Sequence, residues 1–244
     1  MVYQGGKFRQ SKQIAPIINL CVKENNIENY YEPFCGGLNV LDKIKCENLF
    51  ANDIDSDLIA FYQFITSGGM PVEDITREDY YKIKESGTPA ERGMVKYMGS
   101  FGGKPWGGYG FRRDSNKSHY AASLTNFKKE IPIIRITNFS CEDYKNLVFK
   151  EKSFIYLDPP YKGTTGYEKT FNHEEFYKWT RELSKEHYVI ISEYNMPDEF
   201  ICFKQINYKQ CLNADANNRK TVSDNLYYCD GLFKDWIENR GGIN

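Results

Sequence analysis

Little in this sequence points to a membrane or a metal. No apolar run approaches the ~20 residues that crossing a bilayer requires. The opening Met1-Val2-Tyr3-Gln4-Gly5-Gly6-Lys7 lacks the apolar stretch of a signal peptide. The seven cysteines include no C-x-x-C pair, and the three histidines stand at no metal-ligand spacing with a cysteine or with one another. Scattered cysteines of odd number read as reduced thiols of a cytoplasmic protein. A zinc site, or any other metal, is not expected. Charge of one sign is lacking too: the formal net charge is −1 over 244 residues, which excludes a uniformly basic polyanion binder. G-x-G-x-x-G and G-x-x-x-x-G-K-[ST] are both missing, so neither the dinucleotide fingerprint nor the phosphate loop is present.

What is there is an ordinary globular composition, 41% hydrophobic and 27% charged. The length suits one large domain, or one domain carrying an insertion. Strand-like runs predict strands at Asn29–Phe34, Asn48–Asn52, Ile133–Asn138, Ser153–Leu157, Tyr188–Ser192, Ile201–Tyr208 and Leu226–Cys229. Helices are predicted at Leu38–Lys45 directly after Gly36-Gly37, at Ser56–Ser67 closed by Gly68-Gly69, and at His173–Glu186. Strands separated by helices imply an α/β fold with a mostly parallel sheet. The last two strands lack a helical segment between them, so they predict an antiparallel hairpin.

Residues 71–132 break that rhythm. Two helical pieces, Ile75–Glu85 and Pro89–Met98, lead into the glycine-dense Gly99-to-Arg113 stretch. From Lys96 to Arg135 the charges are Lys96, Lys104, Arg112, Arg113, Lys117, Lys128, Lys129 and Arg135 against only Asp114 and Glu130. A local basic block inside a neutral chain is the footprint of phosphate contact, or else a solvated face. The division that follows is 1–70 with 133–244 as one domain and 71–132 as an inserted subdomain.

Chemistry gathers at strand ends. Asp158-Pro159-Pro160-Tyr161 follows a buried strand. An acid and a rigid proline carbonyl can accept hydrogen bonds from an amine on a flat ring, while the aromatic stacks on that ring. A plain strand-ending turn is the alternative. Glu32-Pro33-Phe34-Cys35-Gly36-Gly37 lies between strand and predicted helix, where glycines allow close backbone approach to a ligand and leave N–H groups at a helix start. Asp53 ends the second strand, the place from which an acid holds two ribose hydroxyls in nucleotide-binding α/β sheets. Asp55 and Asp57 compete for that part, but they surround the next helix start, where capping is expected. Glu142-Asp143-Tyr144 follows the third predicted strand, on the ligand side of the sheet near an adenine ring, with an exposed loop acid as the alternative.

In this order, the glycine loop, the acid after strand two and D-P-P-Y resemble the DNA adenine-N6 methyltransferases of the Dam type, the alpha group or D12 class. Tyr3-Gln4-Gly5-Gly6-Lys7 and Asn218-Arg219-Lys220-Thr221 belong to the same match, which covers most of the chain. The resemblance implies a Rossmann-like sheet that binds S-adenosyl-L-methionine, releases S-adenosyl-L-homocysteine and uses no metal. It implies that Lys7 and Tyr3 meet the methionine carboxylate, and that Phe34, Cys35, Gly36 and Gly37 line the cofactor pocket. Asp53 would hold the ribose and Asp143 would lie near the adenine of the cofactor. Asp158 and the Pro159 carbonyl would accept from the target amine and Tyr161 would stack on the target adenine.

Double-stranded DNA is the implied partner, gripped by Lys104, Arg112, Arg113 and Lys117, with Trp106, Tyr109 or Phe111 as a wedge and Asn218, Arg219 and Lys220 as a late basic loop. A cognate restriction endonuclease is a further implied partner, in the cytoplasm of a bacterial or phage-infected cell. The Phe101-to-Phe111 stretch departs from the Dam pattern and is closer to phage and mobile-element members, so the likeness does not extend to G-A-T-C recognition. Two competing readings are an RNA or protein methyltransferase with the same cofactor fold and a non-catalytic DNA-binding homologue. The G-G-K start and the large insertion weigh against the first; Lys7, Asp53, Asp158 and Tyr161 weigh against the second.

Overall fold

The computed structural model describes residues 1, 3, 5–112, 117–162, 171–209 and 221–242. The chain opens with helix α1 (Ser11–Glu24), strand β1 (Asn29–Glu32), strand β2 (Asn48–Asn52) and helix α2 (Ser56–Thr66). Helices α3 (Arg77–Ser86) and α4 (Pro89–Met98), a small hairpin of β3 (Phe111–Arg112) and β4 (Lys117–Ser118), and helix α5 (His119–Arg135) come next. Strands β5 (Thr137–Ser140) and β6 (Phe154–Leu157), helix α6 (His173–Glu186) and strand β7 (Tyr188–Glu193) follow. The described chain ends with β8 (Ile201–Lys209), β9 (Thr221–Tyr228) and α7 (Leu232–Asn239).

Seven of these strands form one sheet in the order β5-β2-β1-β6-β7-β9-β8. The β1–β6, β2–β5 and β6–β7 pairs are parallel. Only β9 runs against its neighbours β7 and β8. This is the mostly parallel α/β sheet that the strand–helix alternation predicts, with the antiparallel hairpin where no helix separates two strands.

Contacts divide the chain into two compact units. The first comprises Met1–Lys7, Cys35–Lys43 and Leu49–Asn146. Its core is aromatic: Phe61 stacks on Phe127 at 4.9 Å, and Tyr62 stacks on Phe139 at 5.0 Å. Thr76 and Thr88 start α3 and α4 with full capping boxes closed by Asp79 and Glu91. Helix α4 lies so close to α2 that a Cβ on Gly93 would sit 2.0 Å from the Asp57 carbonyl oxygen. The second unit comprises Phe8–Phe34, Ile44–Asn48 and Leu147–Asn244. There β6 is buried along its whole length, Phe154 meets Phe233 edge-on, and Phe176 and Tyr177 bury the apolar stripe of α6.

Two predicted elements are corrected. Leu38–Lys45 is not an α-helix; only a single 3₁₀ turn forms, at Leu41–Lys43. Leu38 takes the left-handed conformation with φ 57°, and its N–H is given back to the Cys35 carbonyl at 2.9 Å. A left-handed residue cannot start a right-handed helix. Leu38, Val40, Leu41 and Ile44 are instead all turned inward and buried. The strand predicted at 133–138 is also displaced. Ile133 and Ile134 end helix α5, whose buried Phe127, Ile131 and Ile134 follow helical spacing, and β5 starts at Thr137. The expected boundary at 132 therefore falls inside α5, and residues 71–132 share the first unit with β2, α2 and β5. Helices α1, α5 and α7 are additions to the predicted elements.

The α2–α4 approach is directly testable. Gly93→Ala forces a Cβ into the Asp57 carbonyl, and overpacking of this kind costs about 1–3 kcal/mol. Thermal denaturation should show a clear loss of Tm in this variant and none in the exposed Ser86→Ala; equal Tm values for Gly93→Ala and wild type would disprove the close approach.

Candidate active site

The first unit holds most of the predicted cofactor residues. The Cys35 N–H is donated to the Asn52 carbonyl at 2.8 Å, which joins the glycine turn to the end of β2. The Gly36 N–H goes to Asp53 Oδ2 at 3.0 Å, and the Asp55 N–H to Asp53 Oδ1 at 3.0 Å. Asp53 is thus held by two backbone donors, one on each oxygen. Burial pushes its carboxyl from an ordinary 3.8 to about 6, against the opposing pull of those two N–H groups. Because no α-helix follows the glycines, their N–H groups are aimed by the turn itself, and the Asp53 contact replaces the predicted helix-start geometry.

Glycine is required at Gly36, which has φ 43° and whose Cβ would come within 2.9 Å of the Tyr3 ring. A Cβ on Gly37 would meet Tyr3 at 2.8 Å. The Tyr62 hydroxyl fixes the Gly36 carbonyl at 2.7 Å. Lys7 is buried, with Nζ 3.4 Å from the Gly5 carbonyl. A glycine turn under an aromatic ring, a buried lysine and a buried acid with two oriented oxygens form a donor–acceptor set that fits a nucleoside bearing an amino-acid carboxylate.

Asp55 is the cap of α2, accepting from the Asp57 and Leu58 N–H groups at 3.1 Å each, as its sequence position predicts. It is also the meeting point of two side chains not expected here. Lys96 and Tyr97, both on α4, hydrogen-bond its Oδ2. Burial raises the Asp55 carboxyl, but these two donors outweigh it and hold the group below the usual carboxylate range. Tyr97 stacks on Tyr3 at 4.9 Å. The only signal for this pair in the sequence is the Arg92/Lys96 row on a helix, opposite the acids around Asp55. Asn52 is another such addition: its side chain takes the Glu142 N–H and gives a hydrogen bond to the Glu142 carbonyl, which anchors the loop after β5. Asp143, beyond that anchor, is half-buried and closes a local turn with the Lys145 N–H at 3.0 Å.

The basic insertion belongs to this unit as well. Its glycine arm is closed at the root by hydrogen bonds from the Phe101 N–H to the Gly108 carbonyl and from the Gly110 N–H to the Gly99 carbonyl. Trp106 and Tyr109 pack edge-on against Tyr80, and the Tyr109 hydroxyl is bound to the Ile75 carbonyl. The aromatics left exposed are Phe101 at 65% and Phe111 at 45%, with Lys104 exposed beside them. Arg112 pairs with Lys117 across the β3–β4 hairpin. Arg113 and the late loop Asn218, Arg219 and Lys220 lie outside the described residues.

The second unit holds the tetrapeptide. Asp158, Pro159, Pro160 and Tyr161 leave the carboxyl end of β6, with Pro159 buried and the other three half-buried. The Tyr161 hydroxyl donates to Asp224 Oδ1 at 2.7 Å, and its ring meets Tyr194 edge-on at 4.6 Å. Burial, and then the charges of Asp158 and Asp224, push the Tyr161 phenol well above its ordinary range, so it stays neutral and donates. Glu193 accepts from the Lys162 and Tyr194 N–H groups at 2.7 and 2.9 Å. Phe34 packs edge-on against Phe171 and Phe176. Glu193, Tyr194 and Asp224 are absent from the predicted site; an acid directly after the predicted strand Tyr188–Ser192 and another two positions before the predicted strand Leu226–Cys229 are the signal the sequence carries.

Three comparisons bear on this arrangement. A model of the D12 class N6 adenine-specific DNA methyltransferases matches residues 3–92 and 103–201. The modification methylase StsI of Streptococcus sanguinis is 26% identical over 195 residues, covering 67% of this chain, and the chain spans 28% of that enzyme's length. The type II methyltransferase M.MjaIII of Methanocaldococcus jannaschii is 23% identical over 277 residues, covering 92% of this chain and 95% of its own. A solved S-adenosylmethionine-dependent methyltransferase from Clostridium acetobutylicum aligns over 93% of this chain and 78% of its own at 12% identity, with a TM-score of 0.33. No helix among the described residues is long and apolar enough to cross a membrane.

Asp53 makes a pH signature. An acid with a raised native pKa holds more proton folded than unfolded between the two values, so its contribution to stability falls as pH rises from about 4 to about 6. Asp53→Asn lacks that loss. Its Tm relative to wild type should therefore climb across that window and level off above it. An offset that stays constant from about pH 4 to about pH 8 would contradict the burial of this acid.

Proposed function

We propose a specific reaction for a chain that belongs to the D12 class N6 adenine-specific DNA methyltransferase family: transfer of a methyl group to N6 of an adenine flipped out of duplex DNA. The observation that carries this reading is Asp158-Pro159-Pro160-Tyr161 at the end of buried β6, within the residues that the family model matches. S-adenosylmethionine, when bound, supplies an electrophilic sulfonium methyl.

The rest is the work of this chain's own residues. Lys7 and Tyr3 hold the carboxylate end of the cofactor. Cys35, Gly36, Gly37 and Phe34 line its pocket, Asp53 takes the ribose hydroxyls, and Asp143 lies near its base. The buried Lys7, the glycine turn under Tyr3 and the two aimed oxygens of Asp53 support these roles.

An adenine amine is a poor nucleophile because its lone pair is delocalised into the ring. Asp158, as a carboxylate, and the Pro159 carbonyl accept hydrogen bonds from its two N–H groups, which favours a pyramidal nitrogen and stabilises the positive charge that develops on it as the N–C bond forms and the methyl–sulfur bond breaks; one N–H proton is then lost to restore the neutral amine. No covalent enzyme intermediate is needed. Tyr161 stacks on the flipped base, and stacking of about 1–3 kcal/mol offsets part of the few kcal/mol that flipping costs.

Lys104, Arg112, Arg113 and Lys117 of the insertion, with Asn218, Arg219 and Lys220, meet the DNA backbone. Phe101 and Phe111 are the aromatics that the arm leaves exposed, whereas Trp106 and Tyr109 are engaged with Tyr80. Residues 71–132 serve as the DNA-reading insertion of a catalytic domain formed by 1–70 and 133–244. The relatives' names, a modification methylase and a type II methyltransferase, extend the reading to a modification role with a cognate restriction endonuclease, in the cytoplasm.

Two experiments test this. The chain is expressed in a host without adenine methylation and modified adenines are mapped by single-molecule sequencing. Methylated adenine in one sequence context is expected, Asp158→Ala should abolish it, and calorimetry should find cofactor affinity unchanged within a few-fold. Full methylation by Asp158→Ala would remove the assignment. Neutralising Lys104, Arg112 and Arg113 together should weaken DNA binding and reduce the slope of log K against log salt by about 0.9 for each phosphate no longer neutralised; an unchanged slope would place the DNA elsewhere.

A further inference from the structure

Asp224 is the buried acid that the reaction above leaves without a part. It lies on β9, is fully buried at 0% exposure, and accepts the Tyr161 hydroxyl at 2.7 Å. Placing a carboxylate in a sheet interior costs several kcal/mol unless strong partners compensate. Around it, Tyr161 is fixed at two further points. Glu193, 1% exposed, takes the N–H of the next residue, Lys162, at 2.7 Å and that of Tyr194 at 2.9 Å. The Tyr194 ring then stands against Tyr161 at 84°, while the Tyr194 carbonyl is held by Asn225 Nδ2 at 2.8 Å and by the Tyr227 hydroxyl at 3.1 Å. Two of these contacts are made by the Tyr161 side chain itself, its hydroxyl to Asp224 and its ring edge-on to Tyr194, and the others hold the backbone of Lys162 and Tyr194 beside it.

From this convergence we infer that Asp224 is a positioning residue for methyl transfer, which acts through the Tyr161 hydroxyl to hold the aromatic ring at the angle that accepts the target base. The inference rests on the methyltransferase reading. A stacking platform that rotates about its own bonds binds the flipped base in many poses, and only an aligned pose presents the amine to Asp158 and Pro159. Glu193 sets the backbone after the ring, and Tyr194 limits its tilt. Asp224 fixes its far end.

The test is a double-mutant cycle on the purified enzyme, with duplex DNA carrying the adenine that sequencing identifies, or 2-aminopurine in its place. Tyr161→Phe keeps the ring and removes the hydroxyl; Asp224→Ala removes the acceptor. Each should lower kcat by about tenfold and reduce the 2-aminopurine signal, with cofactor affinity within about twofold. The double variant should be no worse than the poorer single, because both remove one interaction. Asp224→Asn, which still offers an oxygen to the hydroxyl, should restore most of the fluorescence signal.

Losses that multiply in the double variant would overturn the inference. So would wild-type kcat and fluorescence in Tyr161→Phe, a result that needs no folded Asp224→Ala protein. If the wild type methylates no adenine, the proposed function falls; if it does and Tyr161→Phe matches it, only the part given to Asp224 falls.

Discussion

The grip of two backbone N–H groups on the Asp53 carboxylate is the constraint around which the first unit is arranged. One donor comes from Gly36 in the turn after β1, the other from Asp55 at the start of α2. Hydrogen bonds to a charged group contribute about 1.5–3 kcal/mol each, yet burial still wins by enough to lift the carboxyl to about 6. The acid is held in place at some cost to its own ionisation. Asp55 extends the constraint, since it caps α2 and is itself clasped by Lys96 and Tyr97. Helix α4 is thereby tied to the residues that hold Asp53.

The second unit solves a different problem. Its tetrapeptide Asp158-Pro159-Pro160-Tyr161 leaves the end of a buried strand. Strand β6 is buried along its length, and two prolines then remove both N–H donors and φ freedom as the chain emerges. What the prolines cannot fix is the side chain of Tyr161. Strands β7 and β9 supply that through Glu193 and Asp224, residues distant in sequence from the motif they support.

Much of this was legible in the sequence because it is local. Asp55 as a cap, Gly68 after α2, Pro89–Met98 as a helix, and the antiparallel hairpin all follow from neighbouring residues and spacing. The misreadings share one cause. Ile133-Ile134 has the β-branched look of a strand, but Ile131 and Phe127, one and two turns before Ile134, decide for helix by burying the same face. Leu38 to Ile44 has apolar residues enough for a helix, but the left-handed turn after Gly36-Gly37 sends them inward as a loop. Within the site, Asp53, Lys7 and Asp158 announce themselves by their place at strand ends or in motifs. Lys96, Tyr97, Glu193 and Asp224 do not, because their meaning lies in partners 31 to 63 positions away.

The glycine arm from Gly99 to Gly110 is tied across its own base by three backbone hydrogen bonds: Phe101 to Gly108, Gly110 to Gly99, and His119 to Gly110. Helix α4 immediately before it is committed to α2 by the contact at Gly93 and by the clasp on Asp55. The arm and the hairpin after it are bound in turn to the helices around them: Trp106 and Tyr109 pack on Tyr80 of α3, the Tyr109 hydroxyl donates to the Ile75 carbonyl, and Ser118 both caps α5 and donates to Asp74. An exchange of arm and hairpin alone would therefore leave α3 without its aromatic cover and α5 without its cap.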